Sequence, residues 1–462
     1  MSRLAEVGAA LDWWLDGPLL GPLRRIAGAV IVAAGPWLIA VAALIFVSRT
    51  MSATLGALVL EDLRLTVVYA FMLAPLAATP VGVIAARAVA LDTDAPPVGA
   101  LLTAACGLAG LTAMMLALAV AVALGLTGQG TVVTFALLTS TSAMMWTAFP
   151  VLAALRARRR LIASFAIGMG AAVGLTALVA PRAEGGGDII WCFILGTGIS
   201  LGLSVLPYRR MATDPEALTR AAAALWRAAR RCWPLALGAA LAVAGIWMDK
   251  WVYWVGGTGL RSQAGFLHFP RYDSVMFFAH LSVLPALAAL AAFQEGPLAG
   301  AMRDLRAGIS GGDTLDGLAA RAGATRRLAL DGLLRIFGAQ VVLSAGLVLV
   351  APALADAAGL RLDQFLLLRV GLLAAALHAL FLAASAMIAL TNAGATFAWL
   401  QAMFLVLNLG LTLAISRGGE VGAAGLTLAA ALAATVAIPL AAALLGRLVR
   451  RAFLDGNESL YG

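Results

Sequence analysis

The sequence predicts an all-α polytopic membrane protein, with about twelve transmembrane helices in two six-helix lobes around a central cleft. Three observations predict it. Hydrophobic residues make up 62% of the 462 residues and charged ones only 12%, with a mean hydropathy of +0.97; a water-soluble core does not need so much apolar sequence. Apolar runs of bilayer-spanning length, roughly 20 residues, recur twelve times between short polar breaks. The arginines crowd into alternate breaks, so the formal net charge of +9 reflects topology rather than nucleic-acid binding.

The runs lie near 26–48, 65–89, 99–126, 131–154, 161–181, 188–206, 233–254, 272–293, 332–354, 364–390, 395–416 and 421–446. Arginine-rich segments such as Arg158-Arg159-Arg160 stay inside only if both termini are cytoplasmic, the orientation expected of this multi-pass membrane protein. The expected division is 1–206 as an N-terminal lobe, an amphipathic start plus six helices. Residues 207–231 form a cytoplasmic surface-helix linker. Residues 232–462 form a C-terminal lobe with six helices, a second surface helix near 313–330 and a short basic tail. The first apolar run is too long for a secretory leader and lacks a cleavage pattern.

In chain order, Trp13 and Trp14 before Arg24-Arg25 suit an interfacial segment. Gly35-Pro36 falls mid-way along the first run; proline removes a backbone donor and clashes with the preceding turn, so Gly35 and Pro36 are hinge candidates. Pro75 and Pro80 interrupt the second run in the same way. Asp92 and Asp94 form a DxD triplet, but the loop is too short to hold a nucleotide-sugar site. Thr139-Ser140-Thr141-Ser142 places four hydroxyls in the fourth run, as helix glue or cavity lining. Thr213-Asp214-Pro215-Glu216 reads as a helix start, with Leu218, Ala222, Leu225 and Trp226 as its apolar stripe. Gly311-Gly312 followed by Asp313-Thr314 reads as a turn into the second surface helix.

The stretch from Cys232 to Phe293 carries the chemistry. Lys250 is the only lysine in the chain and follows Asp249 inside an apolar run. Charges there cost several kcal/mol unless paired. Trp247, Trp251 and Trp254 recur at i, i+4, i+7 and share one helix face. The expected charge pair is Lys250 with Asp273, or Asp249 with Arg271, lining the external part of the cleft. His280, Arg369, His378, Gln401 and Asn408 are further polar residues at membrane depth, where side chains normally face the bundle interior or a wet cavity.

Enzymatic motifs are missing. There is no GxxxxGK[ST] loop and no HExxH, and three histidines, His268, His280 and His378, give no plausible Ser-His-Asp set. Cys106, Cys192 and Cys232 sit in or beside apolar runs, in no zinc or disulfide pattern. The reading is a transporter and not an enzyme, with no cofactor and no metal. Proton or sodium coupling through Asp249, Asp273, Glu61 or His378 stays open.

Two stretches carry a resemblance. The order IWMDKWVYW, LHFPRYD, MFFAHLSVLPALAA, and then LRVGLLAAALHALFLAASAMIAL with FLVLNLGLT, resembles the inner-membrane exporters of the Pel exopolysaccharide type (PelG-like). These belong to the superfamily of multidrug, lipid-linked-oligosaccharide and polysaccharide transporters. The resemblance implies alternating-access export of a polysaccharide or its lipid-linked precursor. It also implies a cytoplasmic glycosyltransferase and small membrane proteins as partners, alongside membrane lipids. The cleft candidates on this reading are Trp247, Asp249, Lys250, Trp251, Trp254, Tyr272, Asp273, His280, Arg369, His378 and Asn408; indole faces stack on sugar rings. The chain departs from the family pattern at Gln294-Glu295-Gly296 and Thr391-Asn392. Two alternatives are a cation-coupled multidrug or small-molecule antiporter of the same superfamily, and a membrane scaffold for a polysaccharide synthase.

Overall fold

The computed structural model describes residues 45–455 except 48, 51–55, 92–95, 156, 184, 211, 358 and 420. The hinge candidates Gly35 and Pro36, the amphipathic start and the DxD triplet lie outside the described residues, as does almost all of the first expected span. Among the described residues, eleven helices are long and apolar enough to cross a membrane.

The N-terminal half contains α1 (Ala57–Leu91), α2 (Val98–Leu124), α3 (Gln129–Ala154), α4 (Arg158–Val179) and α5 (Gly186–Val205). α1 runs unbroken through Pro75 and Pro80. The Thr79 hydroxyl donates to the Pro75 carbonyl at 2.5 Å. Three of the four hydroxyls of α3 find hydrogen bonds within the protein, and the buried Ser142 hydroxyl has none among the described residues. Thr139 bonds its own helix at Phe135, Ser140 donates to the Gly110 carbonyl of α2 at 3.0 Å, and Thr141 meets Thr197 of α5 at 2.9 Å. α4 and α5 approach closely because Gly168 and Gly196 face each other; a Cβ on either would run into the other's carbonyl.

The C-terminal half is built on α6 (Pro215–Val255), a 41-residue helix. Asp214 caps it, accepting from the Ala217 N–H at 3.0 Å, with Pro215 at the first helical position. The expected surface helix and seventh span are therefore one helix, bent at Cys232 (φ −122°, ψ 17°) ahead of Pro234. The apolar stripe also differs from the expected one. Ala217, Ala221, Leu225 and Ala228 pack on Val81, Ala85, Leu101 and their neighbours from α1, α2 and α3, while Trp226 is exposed. The small side chains decide this, because only an alanine face lets a helix lie tightly on another.

A hairpin follows, β1 (Leu260–Arg261) antiparallel to β2 (Leu267–His268), then α7 (Pro270–Leu281) and α8 (Leu284–Phe293). The eighth span breaks at Ser282-Val283 because Pro285 has no N–H to offer the preceding turn. The Gln340 amide donates to the Ser282 carbonyl at 3.2 Å and satisfies it inside the bundle. A π-helical turn, Gln294–Leu298, leads into α9 (Ala299–Ser310). Gly312, at φ +71°, makes the turn into α10 (Leu315–Leu349), which Thr314 caps. The expected second surface helix is thus the first half of α10, continuous with the ninth span. Then come α11 (Ala351–Ala357), α12 (Leu362–Leu390), α13 (Gly394–Arg417), α14 (Ala424–Gly446) and α15 (Leu448–Asp455).

The buried residues gather into several clusters. One hydrophobic core joins α7–α10 with α12–α14, centred on Phe381, Phe404 and Met387. A second joins α1–α5, centred on Phe135, Phe149 and Phe165. α6 touches both. It packs along α13, where a Cβ at Gly245 would sit 2.9 Å from the Phe404 ring, and it also packs along α1.

Candidate functional site

The α6–α13 contact sets the site. Asn408 of α13 donates to the Gly245 carbonyl at 2.9 Å and accepts from Thr412 at 3.2 Å. Asn408 is fully buried and joins two helices. One turn beyond Gly245 comes Asp249, also fully buried. It accepts from the Tyr272 hydroxyl of α7 at 2.6 Å. The Lys250 ammonium lies 3.4 Å from the Asp249 carboxylate and donates to the Ile246 carbonyl at 3.2 Å. It also sits 5.4 Å from the Trp247 ring centre, where the ring face attracts a cation.

The expected pairs do not form. Lys250 turns to its own neighbour Asp249, although adjacent helical residues diverge by about 100°; the long lysine stem folds back along the helix. Asp273 instead accepts from the Trp254 indole N–H at 2.9 Å and from the Phe269 backbone N–H at 2.8 Å. Arg271 pairs with Asp363 at 2.9 Å, at a half-exposed position. An aspartate deep in the bundle recruits whichever donors the fold holds rigidly, and the Tyr272 hydroxyl and Trp254 indole are rigid where arginine is not.

The tryptophan face points at the N-terminal half. Trp254 is buried against that half's core, and Trp247 and Trp251 are half-buried there. Trp251 donates its indole N–H to Met72 Sδ of α1 at 3.1 Å, and the Trp247 and Trp254 rings are 6.4 Å apart. Behind this face lies a polar layer. His280 of α7 and His378 of α12 meet edge to face at 6.3 Å, and His378 stacks on Phe404 at 4.8 Å. His280 Nδ1 contacts the Met276 carbonyl at 2.7 Å, whereas its Nε2 and both amide atoms of Gln401 are buried with no hydrogen-bond partner among the described residues.

Arg369 is set apart. It is exposed, beside the exposed Leu366, Val370 and Leu373, with its guanidinium 4.2 Å from the Phe365 ring of its own helix. Tyr253, Tyr69 and Phe266 join the site without having stood out in the sequence. Tyr253 packs on Tyr272 at 4.6 Å and exchanges hydrogen bonds with the Gly422 backbone. Tyr69 stacks on Trp254 at 5.1 Å. Aromatic enrichment around Asp249 is a signal for Tyr253; Tyr69, far away in sequence, gives none. Among the described residues, no group of three His, Cys, Asp or Glu is placed to hold a metal ion.

The arrangement holds two carboxylates, Asp249 and Asp273, and one ammonium among tyrosines, histidines and tryptophans. Chemically it can exchange a hydrogen bond or a charge with something entering from the tryptophan side. The paired charges offset much of each other's desolvation.

The model of the PelG exopolysaccharide exporter (EPS-E) family matches residues 16–453. The chain belongs to this family. Among curated proteins, none matches. Solved structures of MATE transporters share the fold. The bent-conformation MATE structure aligns at a TM-score of 0.62 and 16% identity, over 93% of this chain and 98% of that one. The straight conformation gives 0.61 and 15%, over 93% and 97%. An outward-facing multidrug resistance MATE transporter of the MOP superfamily gives 0.55 and 15%, over 91% and 96%. The exporter family and the shared fold make this chain a multi-pass membrane transporter.

Proposed function

We propose that this protein exports an exopolysaccharide, or its lipid-linked precursor, by alternating access across the bacterial inner membrane, with both termini in the cytoplasm. The observation that carries this reading is the exporter-family match over residues 16–453. The Trp247, Trp251 and Trp254 face supports it, because flat aromatic surfaces between two halves suit a succession of sugar rings. Lys250 and Asp249 then bond hydroxyls or amino sugars as the halves part. Tyr272 holds Asp249 in place, and Asp273, His280 and His378 are further polar groups of the same site. On the same reading a cytoplasmic glycosyltransferase and small membrane proteins deliver the chain, and the product enters a biofilm matrix. Coupling to protons or sodium would run through the buried Asp249 layer.

The MATE-like fold favours one second reading, a cation-coupled antiporter of small molecules. One experiment separates the two. The gene is deleted in a polysaccharide-producing host, and wild type or Trp251→Ala is returned at equal membrane abundance. Secreted polymer and drug tolerance are then measured together. Export lost on deletion, restored by wild type and reduced about two- to tenfold by Trp251→Ala, the effect of losing one stacking contact, supports the exporter. Unchanged export with altered drug tolerance supports the antiporter.

A further inference from the structure

The hairpin between α6 and α7 is short, yet several of its polar groups are engaged with the opposite half. Its foot is fixed in the C-terminal half by Asp273, which binds both the Phe269 N–H and the Trp254 indole. Its tip reaches the N-terminal half. The Ala264 N–H donates to Asp62 of α1 at 3.1 Å. The Ala264 carbonyl accepts from the Thr127 N–H at 2.9 Å, in the turn between α2 and α3. Arg261 donates to the Leu124 carbonyl at the end of α2 at 2.5 Å. Tyr69 donates to the Leu267 carbonyl at 2.6 Å, and His268 meets Glu61 at 3.1 Å.

An apolar plug sits under these bonds. Phe266 is fully buried, with its ring 5.0 Å from Tyr69 and 5.5 Å edge to face from Phe135. Gly265, at φ +103°, brings the tip within van der Waals reach of the Gly125 carbonyl, where a Cβ would lie 3.2 Å away. The other end of α1 is occupied by the first part of α6, so the hairpin closes one end of the molecule only.

We propose that residues 256–269 form a latch that joins the two halves at this end, and that substrate passes there only when the latch lets go. The hairpin backbone bonds Asp62, Thr127 and Tyr69, and the Arg261 side chain adds the bond to Leu124. A few side chains on α1 thereby control a whole interface, and the phenylalanine plug excludes water until they release. This inference rests on the alternating-access reading, but its test has a readout that needs no substrate.

The test uses a chain in which Cys106, Cys192 and Cys232 are replaced by alanine. Asp62→Cys and Ala264→Cys are joined by a short bifunctional methanethiosulfonate. Joining is expected to abolish export and a reductant to restore it; joined protein that exports as well as reduced protein overturns the latch. Independently, in the same background, Trp247→Cys is exposed to a membrane-impermeant maleimide from the hairpin side, with and without Tyr69→Phe plus Asp62→Ala. Labelling is expected to quicken about thirtyfold, the factor given by losing two net hydrogen bonds. An unchanged labelling rate overturns the latch even if export proves not to be the protein's activity, and Tyr69→Phe alone serves if the double variant does not fold.

Discussion

At the scale of single residues, Asp249 and Lys250 are a coupled unit. Each is buried, and each is the other's nearest opposite charge. Lys250→Met leaves a buried carboxylate with Tyr272 alone, at a cost of about 3–5 kcal/mol. Asp249→Asn strands the ammonium in the same way. The double variant is therefore expected to be less destabilised than the sum of the singles, by about 1–3 kcal/mol. Thermal unfolding in detergent of the four proteins of the cycle measures this, and additive losses would dissolve the pair. His268, outside the spans, gives a pH prediction. Burial lowers its imidazole's proton affinity more than Glu61 and Asp62 restore it. The folded state thus prefers neutral His268, so its contribution to stability is complete above about 6.5 and is lost as pH falls through the lower folded value. Wild type should lose stability on acidification below that point, and His268→Gln should lose less; equal slopes would remove the assignment.

At the scale of elements, α6 is held to α13 by shape more than by charge. Gly238 meets Phe397 and Gly245 meets Phe404, and Asn408 adds one bond between them. Gly245→Leu should force these helices apart and cost about 1–3 kcal/mol, read as a fall in unfolding temperature, whereas Gly338→Leu, where a Cβ meets nothing, should be neutral. Equal effects at both positions would mean that the close approach is not needed. The spans themselves are legible in the sequence, because an apolar run of bilayer length fits little besides a membrane helix. Their joints are less so. That the surface helix and the seventh span are one bent helix depends on the alanine face of 217–228 finding α1 and α2, a tertiary fact that periodicity does not encode. The Lys250–Asp273 pairing fails for a similar reason. Depth puts the two charges at one level, but rotamer and rigid donors choose the partners.

At the scale of the whole molecule, the arginine bias predicts which ends face the cytoplasm. Single cysteines at Gly186 and Gly419 should react with an impermeant thiol reagent from the outside, and those at Ala157 and Gly312 only after the inner face is opened. The reverse pattern would invert the molecule and carry the hairpin to the cytoplasmic side. The relation between the halves is the least legible level. Spacing alone places Trp247, Trp251 and Trp254 on one face, but that this face meets Met72 and Tyr69 of α1 emerges only from the fold.

The solitary lysine has one more consequence. Apart from the α-amine, this chain offers acylating reagents a single primary amine, and the fold keeps it only 8% exposed and close to a carboxylate. An activated ester in the bathing solution therefore has almost nothing to modify while the cluster is shut. Each amide bond formed at Lys250 records an excursion in which the tryptophan face came away from α1. The unmodified protein is its own chemical clock for that opening, read by mass spectrometry of one peptide, with no engineered label at all.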